Sequence, residues 1–91
     1  AEHKDGLTYI DGRLATGQYL YYYTDGGQIE VIGNYKDGKK DGLWEWFFES
    51  GQLMIRLKYM NGKKNGLYEI LNRDGSLNLS VTFENGVEVK K

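Results

Sequence analysis

Few side chains in this sequence could do chemistry, and their spacing accounts for most of them. His3 is the single histidine and cysteine is absent. A histidine-based triad, a multihistidine metal centre, a thiolate nucleophile and a sulfur-ligated metal therefore all lack their residues here. His3 itself falls in a short N-terminal leader and is expected to be solvated and frayed. Among the carboxylates, Asp37 and Asp41 belong to turn motifs, while Glu45 and Glu69 recur at the same place in successive sequence units. A hydrolase built on paired carboxylates would need two of them to converge in one cleft. DGKKDG and NGKKNG lack the spacing of a phosphate loop and lead into a strand pattern rather than a helix. No stretch supplies the ligand series of an EF-hand. No catalytic residue, metal ligand or cofactor is expected.

What remains are lysines and aromatics. Lys39-Lys40 and Lys63-Lys64 follow turn pairs and read as solvated turn charge, the alternative being a weak contact surface for an anionic partner. Tyr22 and Phe47 stand on the opposite alternation face from Tyr21 and Trp46. If exposed they are candidate interface anchors, since aromatic side chains dominate binding hot spots; if they cover one another, that reading weakens.

The elements that position these residues repeat. GLWEWFFESGQLMIRLKYMNGKKN, residues 42–65, overlays GLYEILNRDGSLNLSVTFENGVEV, residues 66–89, so that Gly42, Gly51 and Gly62 match Gly66, Gly75 and Gly86. Residues 17–41 form an earlier unit in which Gly17 and Gly38 match Gly42 and Gly62, and the doubled Gly26-Gly27 replaces one glycine. A partial unit over 7–16 aligns Leu7, Tyr9 and Gly12 with Leu57, Tyr59 and Gly62, with one extra residue before Gly17. The whole of 1–91 reads as one repeat domain with no linker, apart from the leader and a charged tail.

Each unit holds two strands. Leu77, Leu79, Val81 and Phe83 alternate with Asn78, Ser80 and Thr82; Leu53, Ile55, Leu57 and Tyr59 do the same one unit earlier, as do Ile29, Val31, Gly33 and Tyr35 before them. That period of two predicts half-buried strands. The first strands carry Tyr19, Tyr21 and Tyr23, then Trp44, Trp46 and Phe48, then Tyr68 and Ile70, residue types that favour strand. Leu20, Tyr22, Phe47 and Leu71 between them suggest that the second face is partly covered. Asp37-Gly38, Asn61-Gly62 and Asn85-Gly86 predict tight turns. A helix through WEWFFESGQLMIRLKYM is the rival, but Gly51 interrupts it and the following alternation has the wrong period. Side-by-side stacking extends one core, with Tyr35, Trp44, Trp46, Tyr59 and Phe83 as structural aromatics. The expected fold is all-β, an antiparallel meander of stacked hairpins in a single sheet with six or seven main strands.

Composition narrows the function classes. Twelve basic and 13 acidic residues among 91 leave a formal net charge of −1, which argues against a nucleic-acid partner. No apolar run approaches the ~20 residues of a membrane span. Localisation stays open.

The recurring G-[LQ]-[WY], the aromatic strand, the glycine turn, the apolar strand ending in Tyr or Phe and the [DN]-G-K-K-[DN]-G segment together resemble the bacterial variant of the MORN repeat. The match runs well over Gly17 to Asp41 and Gly42 to Asn65, less completely over Gly66 to Val89, and as a fragment over Leu7 to Thr16. Gln18, the doubled glycine and Val87-Glu88, where lysines are expected, depart from the pattern. The last departure suggests a terminal cap. The resemblance implies a meander of hairpins with an interaction or scaffold role, in some members as antitoxin components, placed in the bacterial periplasm, at the cell surface or secreted if a signal was removed and otherwise in the cytoplasm, and supplies no catalytic residues. The expected function is thus a non-enzymatic module that binds another protein or serves as scaffold. The alternatives are a carbohydrate-binding module or weak glycan hydrolase, and an antitoxin-like binder of a toxin.

Overall fold

Tight turns set the architecture. In a computed structural model that describes residues 2–24 and 27–89, Asp5-Gly6, Asp11-Gly12, Asp37-Gly38, Asn61-Gly62 and Asn85-Gly86 all place both residues at positive φ. That is the signature of the type I′ turn, whose twist matches that of the strands it joins. Asn and Asp tolerate the left-handed region and Gly enters it without a Cβ clash.

These turns join antiparallel strands in sequence. Glu2–Lys4 (β1), Leu7–Ile10 (β2) and Arg13–Leu14 (β3) form one small sheet. Gly17–Tyr22 (β4), Ile29–Lys36 (β5), Lys39–Lys40 (β6), Gly42–Phe47 (β7), Leu53–Met60 (β8), Lys63–Leu71 (β9), Leu77–Glu84 (β10) and Val87–Val89 (β11) form a second. Its order is β11-β10-β9-β8-β7-β5-β4, with β6 alongside β5. The protein is all-β, antiparallel and repeat-like in its strand arrangement.

Two expectations need correction. The single sheet is two, and the leader is not frayed: it pairs as β1 with β2, Glu2 opposite Tyr9 and Lys4 opposite Leu7. One cause explains both. Tyr9 pairs with Leu14 as Tyr35 pairs with Lys40, so Asp5 and Gly6 stand where Val31 and Ile32 stand in the next unit. Val31 and Ile32 pair with Trp46 and Glu45 of β7. Asp5 and Gly6 instead turn the chain back into β1, so β4 has no second neighbour within its sheet. The extra residue before Gly17 is absorbed at Ala15, whose N–H donates to Thr8 O at 3.0 Å while its carbonyl accepts from Gly38 N–H at 2.8 Å. With Thr8 N–H donating to Gly38 O at 2.7 Å, these bonds tie the small sheet to the large one.

A second irregularity recurs in every unit. Tyr21 pairs with Val31 but Tyr22 with Ile29; Trp46 with Ile55 but Phe47 with Leu53; Ile70 with Leu79 but Leu71 with Leu77. Each step leaves one extra residue, Glu30, Met54 or Asn78, as a bulge. Cross-strand partners share a face, so Ile29, Leu53 and Leu77 sit with Tyr22, Phe47 and Leu71. The uninterrupted alternation that grouped them with Val31, Ile55 and Leu79 is thereby corrected.

Beyond the bulges the two faces separate cleanly. Tyr21, Val31, Trp46, Ile55, Ile70 and Leu79 make one row across the sheet, and Leu20, Ile32, Glu45, Arg56, Glu69 and Ser80 make another on the opposite face. The core lies on the first face: Ala15, Val31, Tyr35 and Trp44 are buried, with Tyr19, Trp46 and Tyr59 packed against them. Trp44, 2 % exposed, fits because Gly33 leaves room beneath the indole. A Cβ at Gly33 would come within 2.2 Å of it. Its indole N–H donates to Asn34 O at 2.8 Å.

Candidate functional site

The lysine pairs are split by the strands that carry them. Lys40 pairs with Tyr35, and Lys64 with Tyr59, which puts both on the aromatic face. Lys40 Nζ stands 4.9 Å from the Trp44 ring centroid, 5.1 Å from Tyr59 and 5.9 Å from Trp46. Lys64 repeats the arrangement over Phe83 at 5.0 Å and Tyr68 at 5.5 Å. Such contacts stabilise by about 0.5–2 kcal/mol as water is excluded. Burial, and then the neighbouring charge of Lys64, lowers the Lys40 pKa. The solvated-turn expectation fits Lys39 and Lys63, which are exposed, better than Lys40 and Lys64, which are half-buried.

Beneath the ammonium groups the rings pack edge to face and offset. Tyr35 and Trp44 meet at 5.0 Å and 84°, Tyr19 and Tyr35 at 5.6 Å and 81°. Burial raises the Tyr19 and Tyr59 pKa values, with neighbouring tyrosines adding to it.

Lys39, Lys40 and Lys63 line a groove of about 420 Å³ together with His3, Thr8 and Tyr59. His3 is held there by a 3.0 Å hydrogen bond between its Nδ1 and the Thr8 hydroxyl, a placement the sequence reading missed because β1 was not foreseen. Turn geometry is fixed from the preceding unit. Gly62 and Gly86 N–H donate to Lys40 O and Lys64 O, each at 2.8 Å, repeating the Gly38 to Ala15 bond. Asp37, Asn61 and Asn85 N–H donate to the side chains of Thr16, Asp41 and Asn65.

Tyr22 and Phe47 differ in environment. Tyr22 is 49 % exposed, on β4 with Leu20 and Tyr21, which are also exposed. Phe47 is half-buried and lines a smaller groove of about 280 Å³ with Ile29, Ile32 and Gly51; its carbonyl accepts a hydrogen bond from the Tyr23 hydroxyl. Gly26 lies outside the described residues, and Gly27 has a φ of 123°. Gly17, Gly42, Gly51, Gly66 and Gly75 also hold positive φ.

Among the described residues, no carboxylate lines either groove. Glu45 and Glu69 flank Arg56 in the same cross-strand row, with Arg56 Nε 3.7 Å from Glu69 Oε1. Asp74 serves a turn: its carboxylate accepts from the Ser76 hydroxyl and N–H at 2.6 and 2.9 Å, which lowers its pKa. Among the described residues no three His, Asp or Glu side chains group as a metal site, and no helix is long and apolar enough to cross a membrane.

Compared with protein-family models, with curated proteins and with solved structures, the chain gives no significant match.

Proposed function

We propose that this chain is a non-enzymatic protein-interaction module, a meander of hairpin repeats of the bacterial MORN-variant kind, whose partner docks at β4. The observation that carries this reading is the edge itself. β4 ends the large sheet, and Leu20, Tyr21 and Tyr22 along it are all more than two-fifths exposed. Such an edge receives an added strand, main-chain bonds giving affinity and alternate side-chain contacts giving specificity. Leu20 and Tyr22 would contact one side of the incoming strand and Tyr21 the other, with Phe47 behind Ile29 and Ile32 as a shallow apolar anchor. Toxin neutralisation is the narrower version of the same mode, and it rests on the sequence resemblance alone.

The test couples capture to amide exchange. Partners are captured from source-organism fractions with the parent and with Tyr22→Ala and Phe47→Ala, each checked for folding. A partner held by the parent, lost with Tyr22→Ala, and protecting β4 amides in the complex supports the proposal. Equal capture by the folded Tyr22→Ala chain with no β4 protection overturns it.

A glycan-binding reading has one specific observation in its favour. The Tyr19 and Tyr21 rings are stacked, 6.1 Å apart and within 13° of parallel, and Tyr21 is exposed, so that a pyranose ring could continue the stack. Titration with bacterial envelope oligosaccharides, read by the tyrosine ring resonances, tests it; unchanged resonances at millimolar glycan rule it out. The hydrolase variant is disfavoured by Arg56 standing between Glu45 and Glu69.

A further inference from the structure

The groove beside the turn edge carries its own chemistry. Lys39, Lys40 and Lys63 line it together with His3, and none of its lining residues is acidic. Of the four carboxylate residues next in the chain to lining residues, Glu2, Asp5, Asp37 and Asp41, Asp5 and Asp37 belong to turns and Asp41 accepts from Asn61 N–H. The lysines are also held in place. A Cβ built at Gly62 would stand 3.6–3.8 Å from the Lys39 stem carbons, and one at Gly86 3.9–4.0 Å from those of Lys63. Each stem therefore passes over the turn glycine of the following unit, and less side-chain freedom is lost when the ammonium is engaged.

We infer that this groove is a second contact surface, which takes an acidic segment of a protein partner in the extended polyproline II form, with carboxylates three residues apart on one face. The spacing argues for a peptide over a compact anion. Lys39 and Lys63 occupy equivalent positions two strands apart, a separation of about 9.6 Å in a sheet, while a polyproline II chain covers about 9.3 Å in three residues and returns to the same face. A phosphate or a single carboxylate spans far less and would engage one rung. Lysine ammonium groups on flexible stems suit such serial, point-charge contacts. Lys40 also lines the groove, from the aromatic face, where its ammonium lies over Trp44 and Tyr59. The inference deepens the protein-binding reading above but uses a different surface.

Both tryptophans lie within 6 Å of Lys40 Nζ, so their emission reports any carboxylate that draws the ammonium away. The protein is titrated with a capped peptide bearing glutamate at every third position and serine between, with its glutamine counterpart, and with inorganic phosphate. The expected result is saturable binding of the acidic peptide that weakens with salt, none of the glutamine peptide, and weaker binding of phosphate. A Lys39→Gln, Lys63→Gln variant, altered only at exposed positions, should bind about tenfold less tightly. Equal binding of the glutamine peptide, phosphate binding as tight as the acidic peptide, or parental affinity in the double variant overturns the inference. Failure here with β4-dependent capture intact leaves the docking reading standing. Acidic-peptide binding retained in a Tyr22→Ala chain whose capture is unchanged from the parent overturns the docking reading instead.

Discussion

Two units with nearly the same sequence pattern have different interiors. In the middle of the sheet Trp44 and Leu57 are almost completely buried. At the far end, Tyr68 occupies the position of Trp44 and is only half-buried, while Leu77 and Leu79 are 55 % and 46 % exposed. Gly33, which makes room for Trp44, is replaced by Leu57 beside Tyr68, but along the second strand residue type is not the reason, since the last unit is as apolar there as the others. Position is. Trp44 has aromatic neighbours in the preceding unit, Tyr19 and Tyr35, and in its own, Trp46 and Tyr59, plus Lys40 above and Gly33 below. Among the described residues, Tyr68 makes ring contact with Phe83 alone, under Lys64. Burial in a repeat array is supplied by neighbours, so the same phrase makes a core in the middle and a half-open surface at the end.

Truncating the two equivalent rings should break this comparison most sharply. Trp44→Ala is expected to cost about 3–5 kcal/mol and Tyr68→Ala about 1–2 kcal/mol, measured by urea denaturation. Equal losses would mean that the core does not depend on neighbours at all. Gly33→Ala comes next. Its methyl would occupy the space of the indole, and a loss of about 2–3 kcal/mol is expected, accompanied by a shift in tryptophan emission; unchanged emission would show that the indole does not rest there.

The turns permit a finer comparison. Gly38 and Gly86 have φ of 83° and 85°, so alanine carries the same left-handed strain of about 1–2 kcal/mol at both. At Gly38, however, the new Cβ would also lie 2.7 Å from Leu14 Cδ2 and 3.1 Å from Leu7 Cβ, whereas at Gly86 its nearest neighbour is the Lys63 stem at 3.9 Å. Gly38→Ala should therefore be the more destabilising by about 1–3 kcal/mol, with faster amide exchange at Thr8 and Ala15. Equal effects would show that the small sheet contributes little to the large one.

The smallest effect concerns charge. Burial and Lys64 lower the Lys40 pKa from 10.5, so below pH 10.5 the folded chain gives up this proton before the unfolded chain does. The unfolded state then holds more protons, and the Lys40 contribution to stability rises with pH in that window. Tyr59, raised above 10.0, keeps its proton through most of the same range. Against a Lys40→Met variant, the parent should gain relative stability between pH 7 and 10. A constant difference would place Lys40 in water rather than over the rings.

Much of this was legible in the residues. The Asp-Gly and Asn-Gly pairs announced the turns because few other dipeptides accept positive φ twice, and alternation assigned Val31, Trp46, Ile55 and Ile70 to one face. The bulges were not legible. Glu30, Met54 and Asn78 look like ordinary outward residues, yet each shifts the register and carries Ile29, Leu53 and Leu77 to the Tyr22 side. Lys40 and Lys64 also looked like turn charge, because cross-strand pairing with Tyr35 and Tyr59 is a tertiary relation. Of the candidate contacts, Tyr22, Lys39 and Lys63 are exposed, Phe47 is half-covered, and His3 joined the groove only through β1.

The sequence by itself determined the local events: where the chain turns, which segments extend, and which side of each strand is apolar over short runs. Those depend on φ preferences and side-chain chemistry within a few residues. Only the tertiary structure decided that Asp5-Gly6 removes the partner of β4, that Trp44 is buried while Tyr68 is half-open, and that three lysines face one groove. These outcomes depend on which strand lies beside which, and that is settled by hydrogen-bond register and by the number of neighbours each unit has.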